Sequence, residues 1–186
     1  HRIVPGKPLP PALLEANPDE VHQGGANLRK QLENMQVHGC TPVVAINVFP
    51  GDHDEDIAAI HEIASEFGAR AAVSTHFSDG GRGATELAEA IKEAAEEESQ
   101  FKVLYPDEAS LKEKIHAVAT KVYGADGVEY TAAADKQLAT YTDAGFAHLP
   151  VCIAKQHLSL SHDAKLKGAP TGWTLPVREV RASVGA

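Results

Sequence analysis

From Asp19 to His38, Val21, Leu28, Leu32 and Met35 fall on one face at helix-like spacing, and Gly39 follows as a stop, so the pattern predicts an amphipathic helix. A strand and a helix then alternate twice: strand Pro42 to Val48, helix Asp52 to Phe67, strand Ala69 to Ser74, helix Arg82 to Glu97. The first strand, opening "VVAINVFPGDHDED", has the uninterrupted apolar run of a strand buried on both faces. Asp52 and Glu55 read as the cap and capping-box partner of the helix behind it. Alternation of this kind implies an α/β fold, a parallel-sheet layer with flanking helices and right-handed crossovers.

Beyond Gln100 the pattern changes. Helices are predicted from Leu111 to Tyr123, ending at Gly124, and from Ala132 to Ala144, ending at Gly145. A short apolar segment, "LPVCIAK", a polar loop and an alternating strand, "WTLPVREVRAS", follow. Trp173, Leu175, Val177 and Val180 mark the buried face of that strand, and Pro176, which has no N–H to give a ladder, confines it to an edge or a bulge. Residues 1–20 carry five of the eleven prolines and read as an extended lead-in. The expected organisation is therefore a lead-in over 1–20, an α/β segment over 21–100 and a smaller α+β unit over 101–186.

Composition narrows the function. A formal charge of −9 with no cluster of Lys and Arg argues against nucleic acid as a partner. No apolar run reaches the roughly 18 residues that a membrane span needs, and no signal peptide is visible, so a cytoplasmic, membrane-free protein is expected. Cys40 and Cys152 lack paired spacing and read as buried thiols.

Ligands of an open parallel sheet bind beyond the carboxyl ends of its strands. Each predicted strand ends there in an aromatic, Phe49 after "VVAINV" and Phe77 after "AAVSTH". On neighbouring strands the two rings share a rim, where they either clamp a flat heterocycle or cap the core beneath their own loops. Asn47 and the backbone of "SDGGRG" would supply polar selection. Gly80, Gly81 and Gly83 precede a helix, an arrangement open both to anion contact and to a plain tight turn; the lysine of a nucleoside triphosphate loop is missing. His157 and His162 sit five apart with no third ligand, so no metal is expected. Cys152, placed in an apolar strand, is read as an inert thiol despite His157 nearby in sequence.

The blocks "GGANLRKQLENMQVHGCTPVVAINVFPGDHDED", "VSTHFSDGGRGATELAEA", "KIHAVATKVYGADGVEY" and "LPVCIAKQHLSLSHDAKLKGAPTGWTLPVREVRASVGA" resemble consecutive parts of formate–tetrahydrofolate ligase, from about Gly24 to Ala186. The resemblance implies an ATP-dependent joining of formate to tetrahydrofolate through formyl phosphate, to give 10-formyltetrahydrofolate. It implies a P-loop-type nucleotide-binding domain, Mg with the ATP of the full-length enzyme, and a tetramer. It also implies that this chain is the carboxyl-terminal portion of a longer enzyme, stopping where the family's "GAGF" continuation begins. The phosphate-binding loop and catalytic basic residues would then lie upstream, in a missing amino-terminal part, leaving no catalytic residue here and an isolated chain without ligase activity.

By the same resemblance Phe49 is one half of an aromatic clamp on the folate pterin, and the proline behind it holds the turn. Phe77 stands where the family has a larger Trp. Asn47, Pro50 and Val73, with Gly80 and Gly81, fall at the folate or adenine edge. The alternatives are a free-standing, non-catalytic pterin- or nucleotide-binding α/β module and an oligomerisation unit.

Overall fold

In the computed structural model, which describes residues 6–183, the chain divides into two units, one ending at Gln100 and the other starting at Phe101. Residues 1–5 of the expected lead-in lie outside the described residues.

In the first unit, a 3₁₀ turn (Pro11–Leu13) precedes helix α1 (Pro18–Gly24), so the lead-in is not wholly extended. Pro18 suits the first helical position, where its missing N–H costs nothing, and the Asn17 side chain accepts the Glu20 N–H at 3.1 Å. The single helix expected from Asp19 to His38 is two, α1 and α2 (Ala26–Val37), joined at Gly25. Consecutive glycines weaken a helix by about 1 kcal/mol each. Packing decides the break: Gly25 is buried, and a Cβ there would lie 2.6 Å from Ile63 Cδ1. Of the expected apolar face Leu32 is buried, whereas Met35 is 42% exposed and Asn34 is buried instead.

Strand β1 (Val43–Asn47), helix α3 (Asp54–Ser65) and strand β2 (Arg70–Ser74) form the expected unit, with β1 and β2 parallel in the register Val43↔Arg70 to Asn47↔Ser74. β1 is not buried on both faces: Ile46 is buried while Ala45 and Asn47 are exposed. α3 begins two residues after Asp52, with His53 at its N-cap and three acids, Asp54, Glu55 and Asp56, in the first turn to oppose the helix dipole. A one-turn helix α4 (His76–Asp79) and a 3₁₀ segment (Gly80–Ala84) lead into α5 (Thr85–Glu96), so the last helix starts three residues later than expected. α3 and α5 both pack on the strands.

The second unit opens on helix α6 (Leu111–Ala117), whose Ser110 and Glu113 form a reciprocal capping box, and continues through a π-helical turn, Val118–Val122. Strand β3 (Gly127–Tyr130), helix α7 (Ala132–Asp143) and strand β4 (Thr174–Val177) complete it, β3 pairing parallel to β4 from Gly127↔Thr174 to Tyr130↔Val177. β3 was not expected, because four residues containing a glycine carry too short an alternation to register. The apolar segment Leu149 to Lys155 forms no strand; it is held where the Val151 N–H donates to the Tyr105 hydroxyl at 3.0 Å.

Two buried clusters line this sheet. Trp173 and Leu175 pack with Ala119 and Ala125, and Leu111, Ile115 and Leu138 form the other; Val128, Ile153 and Val177 touch both. Pro176 is exposed, opposite Glu129. Lys114 is fully buried, and its side-chain nitrogen donates to the carbonyls of Asp107 and Ala147, each at 2.8 Å, and of Leu149 at 3.2 Å.

Candidate functional site

The last ladder bond between β1 and β2 runs from the Val48 N–H to the Ser74 carbonyl at 3.0 Å, and Phe49 is the next residue. There the chain reverses. The Asp52 N–H donates to the Phe49 carbonyl at 3.1 Å, Pro50 stands second in the turn, and Gly51 stands third with φ 101°. Those are the residue types of a type II turn: proline presets its own φ, and only glycine accepts the positive φ without strain. Asp52 also accepts the Phe49 N–H on Oδ2 at 2.8 Å, so it ties the turn rather than capping α3 as expected.

β2 ends in a different device. Thr75 donates its hydroxyl to Asp79 Oδ2 at 2.7 Å, its carbonyl accepts the N–H groups of Ser78 and Asp79, and its own N–H donates to the Gly83 carbonyl at 2.9 Å. The glycines serve this loop. Gly80 has φ 62° and ψ −147°, a conformation nearly confined to glycine, and a Cβ on Gly83 would lie 2.6 Å from the Thr75 carbonyl carbon. Gly81 has open space around it. The buried Ser74 hydroxyl and His76 Nδ1 lie 3.1 Å apart, fixing the start of α4.

These two devices carry Phe49 and Phe77 to the same rim. Their ring centroids are 5.0 Å apart at an interplanar angle of 52°, and the rings are 44% and 65% exposed. A flat molecule sandwiched between two rings needs about 3.5 Å on each face, hence a separation of about 7 Å. The slot expected between the rings is therefore filled by the rings themselves, which lie tilted against each other, and one of them must swing for a bicycle to enter. Of the neighbouring candidates, Asn47, Pro50, Gly80 and Gly81 are exposed, and Val73 is half-buried opposite Ile46.

Two depressions lie at the other end of the strands. One of about 500 Å³ is lined by Gln36, Phe67 and Arg70; the second, of about 410 Å³, by Ile91 and Ala94. Glu97 borders both and is tied down: Thr41 donates to it at 2.7 Å and Arg70 pairs with it at 2.7 Å, which together hold its carboxyl below the ordinary range.

Cys40 is half-buried and Cys152 is exposed, which corrects the expected buried thiols; Cys152 reaches the surface because its segment is a loop, not a core strand. His162 packs on Trp173 with centroids 5.6 Å apart. Among the described residues no group of three or more His, Cys, Asp and Glu is placed to hold a metal, and no helix is long and apolar enough to cross a membrane. Asp52, Thr75 and Asp79 were missed as site residues. The "FPGD" run carried the signal for the first, since Pro-Gly in the middle of four residues announces a type II turn.

The formate–tetrahydrofolate ligase family matches residues 4–186. The formate–tetrahydrofolate ligase of Saccharopolyspora erythraea is 60% identical over 186 residues, covering all of this chain and 33% of its own length. That of Cutibacterium acnes is 56% identical over the same span, and formate–tetrahydrofolate ligase 3 of Rubrobacter xylanophilus 54% identical over 195 residues. The chain spans about a third of the length of the curated relatives it matches. The matches support a third of a family chain, not the carboxyl-terminal position expected from the resemblance.

Proposed function

The chain belongs to the formate–tetrahydrofolate ligase family, and from that premise we propose that it supplies a wall of the tetrahydrofolate site in a ligase that joins formate to tetrahydrofolate at the expense of ATP. Phe49 and Phe77 would cover the two faces of the pterin, with Asn47 and the backbone around Gly80 and Gly81 at its polar edge. The observation that carries this reading is the placement of the two exposed rings side by side beyond the carboxyl ends of paired parallel strands.

The energetics favour insertion. Parting the rings gives up one aromatic contact of about 1 kcal/mol, whereas a pterin between them gains two stacks of about 1–3 kcal/mol each. Phe77 is the ring that moves, being more exposed and carried on a single turn of helix, whereas Phe49 follows directly on the ladder and is tied twice to Asp52. Binding and orienting the pterin is this wall's contribution; ATP, its Mg and the formyl phosphate step belong to the complete enzyme, and the isolated chain is expected to form no 10-formyltetrahydrofolate.

The test is Phe49→Ala in the full-length ligase. Losing one stack is expected to raise the KM for tetrahydrofolate about tenfold, the equivalent of about 1.4 kcal/mol, with the KM for ATP unchanged. Unaltered tetrahydrofolate kinetics would overturn the assignment.

A further inference from the structure

We infer that Asp52 is a positioning residue for the pterin, acting through Phe49; the inference rests on the clamp reading above. The main-chain N–H of Phe49 lies one residue past the last bond of the β1–β2 ladder and has no strand partner. The Asp52 carboxylate takes it at 2.8 Å, and the Asp52 N–H returns to the Phe49 carbonyl at 3.1 Å. Both main-chain polar groups of Phe49 are therefore held by one residue, across a turn whose interior is Pro50 and a positive-φ Gly51.

Asp52 makes this contact in place of a helix-capping one. α3 has His53 at its N-cap, with no side-chain cap bond, and begins at Asp54. The Asp52 side chain is exposed, at the surface end of the sheet rather than in the core. Its removal releases the Phe49 N–H without opening a cavity, while the main-chain bond of the turn stays. The consequence reaches the ligand through geometry: a stacking wall works only if its ring plane is fixed before the ligand arrives, because an unfixed ring must lose its freedom on binding. One fixed ring and one movable ring make a clamp that opens on the Phe77 side alone.

The experiment is a double-mutant cycle in the full-length ligase, with Asp52→Ala, Phe49→Ala and the pair, and Asp52→Asn as the variant that keeps an acceptor oxygen. Asp52→Ala is expected to raise the KM for tetrahydrofolate about fivefold, the worth of one hydrogen bond of this kind. The kcat at saturating tetrahydrofolate and the KM for ATP should hold, and Asp52→Asn should stay within about twofold of the parent. In the Phe49→Ala background Asp52→Ala should add nothing, since the ring it positions is gone. A normal KM in Asp52→Ala beside a raised KM in Phe49→Ala overturns the positioning role and leaves the clamp standing. An equal rise from Asp52→Ala with or without the ring also overturns it, because the carboxylate would then act on something else. No change in Phe49→Ala overturns both.

Discussion

At the scale of single residues, the molecule uses polar groups to fix positions that apolar packing leaves loose. Asp52 does so for a ring at the surface; Lys114 does so inside. The Lys114 side chain is wholly buried, and its nitrogen gathers three carbonyls, one from the segment before α6 and two from the segment beyond α7. Replacing it with methionine keeps the volume and removes every donor, so three carbonyls lose their partner at once. Lys114→Met is expected to cost about 3 kcal/mol, read as a lower urea midpoint at unchanged slope. A midpoint equal to the parent's would mean that water replaces the amine at no cost. Glycine works in the opposite sense at Gly25 and Gly83, where the absent Cβ lets Ile63 and Thr75 approach more closely than any side chain would permit.

At the scale of elements, termini are set by local chemistry and interiors by packing. α6 starts where it does because the Ser110 hydroxyl accepts the Glu113 N–H at 3.3 Å while the Glu113 carboxylate accepts the Ser110 N–H at 2.8 Å. Ser110→Ala should therefore lower the stability of the second unit by about 1 kcal/mol, detectable as a shift in its thermal midpoint, whereas Ser110→Asp, which also caps, should hold it. Such ends were legible: glycine stops at Gly124 and Gly145 fall where α6 with its π turn and α7 end, and both glycines take positive φ. The break at Gly25, the exposure of Met35 and strand β3 were not legible. The break and the strand depend on neighbours distant in sequence: Ile63 against Gly25, and Thr174 to Val177 beside β3.

At the scale of the whole molecule, acid acts on a set of surface carboxyl contacts. Glu66 accepts from the Arg29 guanidinium, Glu97 from Thr41 and Arg70, and Glu113 from Ser110, and each of these contacts holds its carboxyl below the ordinary value of 4.5. A carboxyl whose pKa is lower folded than unfolded stabilises the fold above the unfolded value, and that stabilisation is lost as pH falls through the folded value. The thermal midpoint should therefore be level from neutrality down to about pH 5 and decline below it, with Glu66→Gln flattening part of the decline. All three carboxyls lie near the surface, so the effect is small and salt weakens it further. A midpoint that stays level down to about pH 3 would show that these pairs add nothing.

The amino-acid order alone determined the α/β class with a parallel sheet, the existence of most helices and the placing of an aromatic just beyond each of the first two strands, whereas their pairing came from the structure. The features set by the order follow from periodicity and local punctuation, which act within a few residues. Tertiary structure alone decided that the two rings lie 5.0 Å apart and fill their own slot, that Asp52 ties a turn instead of capping a helix, and that Cys152 faces out. Such facts depend on which distant groups arrive at the same place, and that is fixed by packing and hydrogen-bond satisfaction across the fold, to which no window along the chain has access.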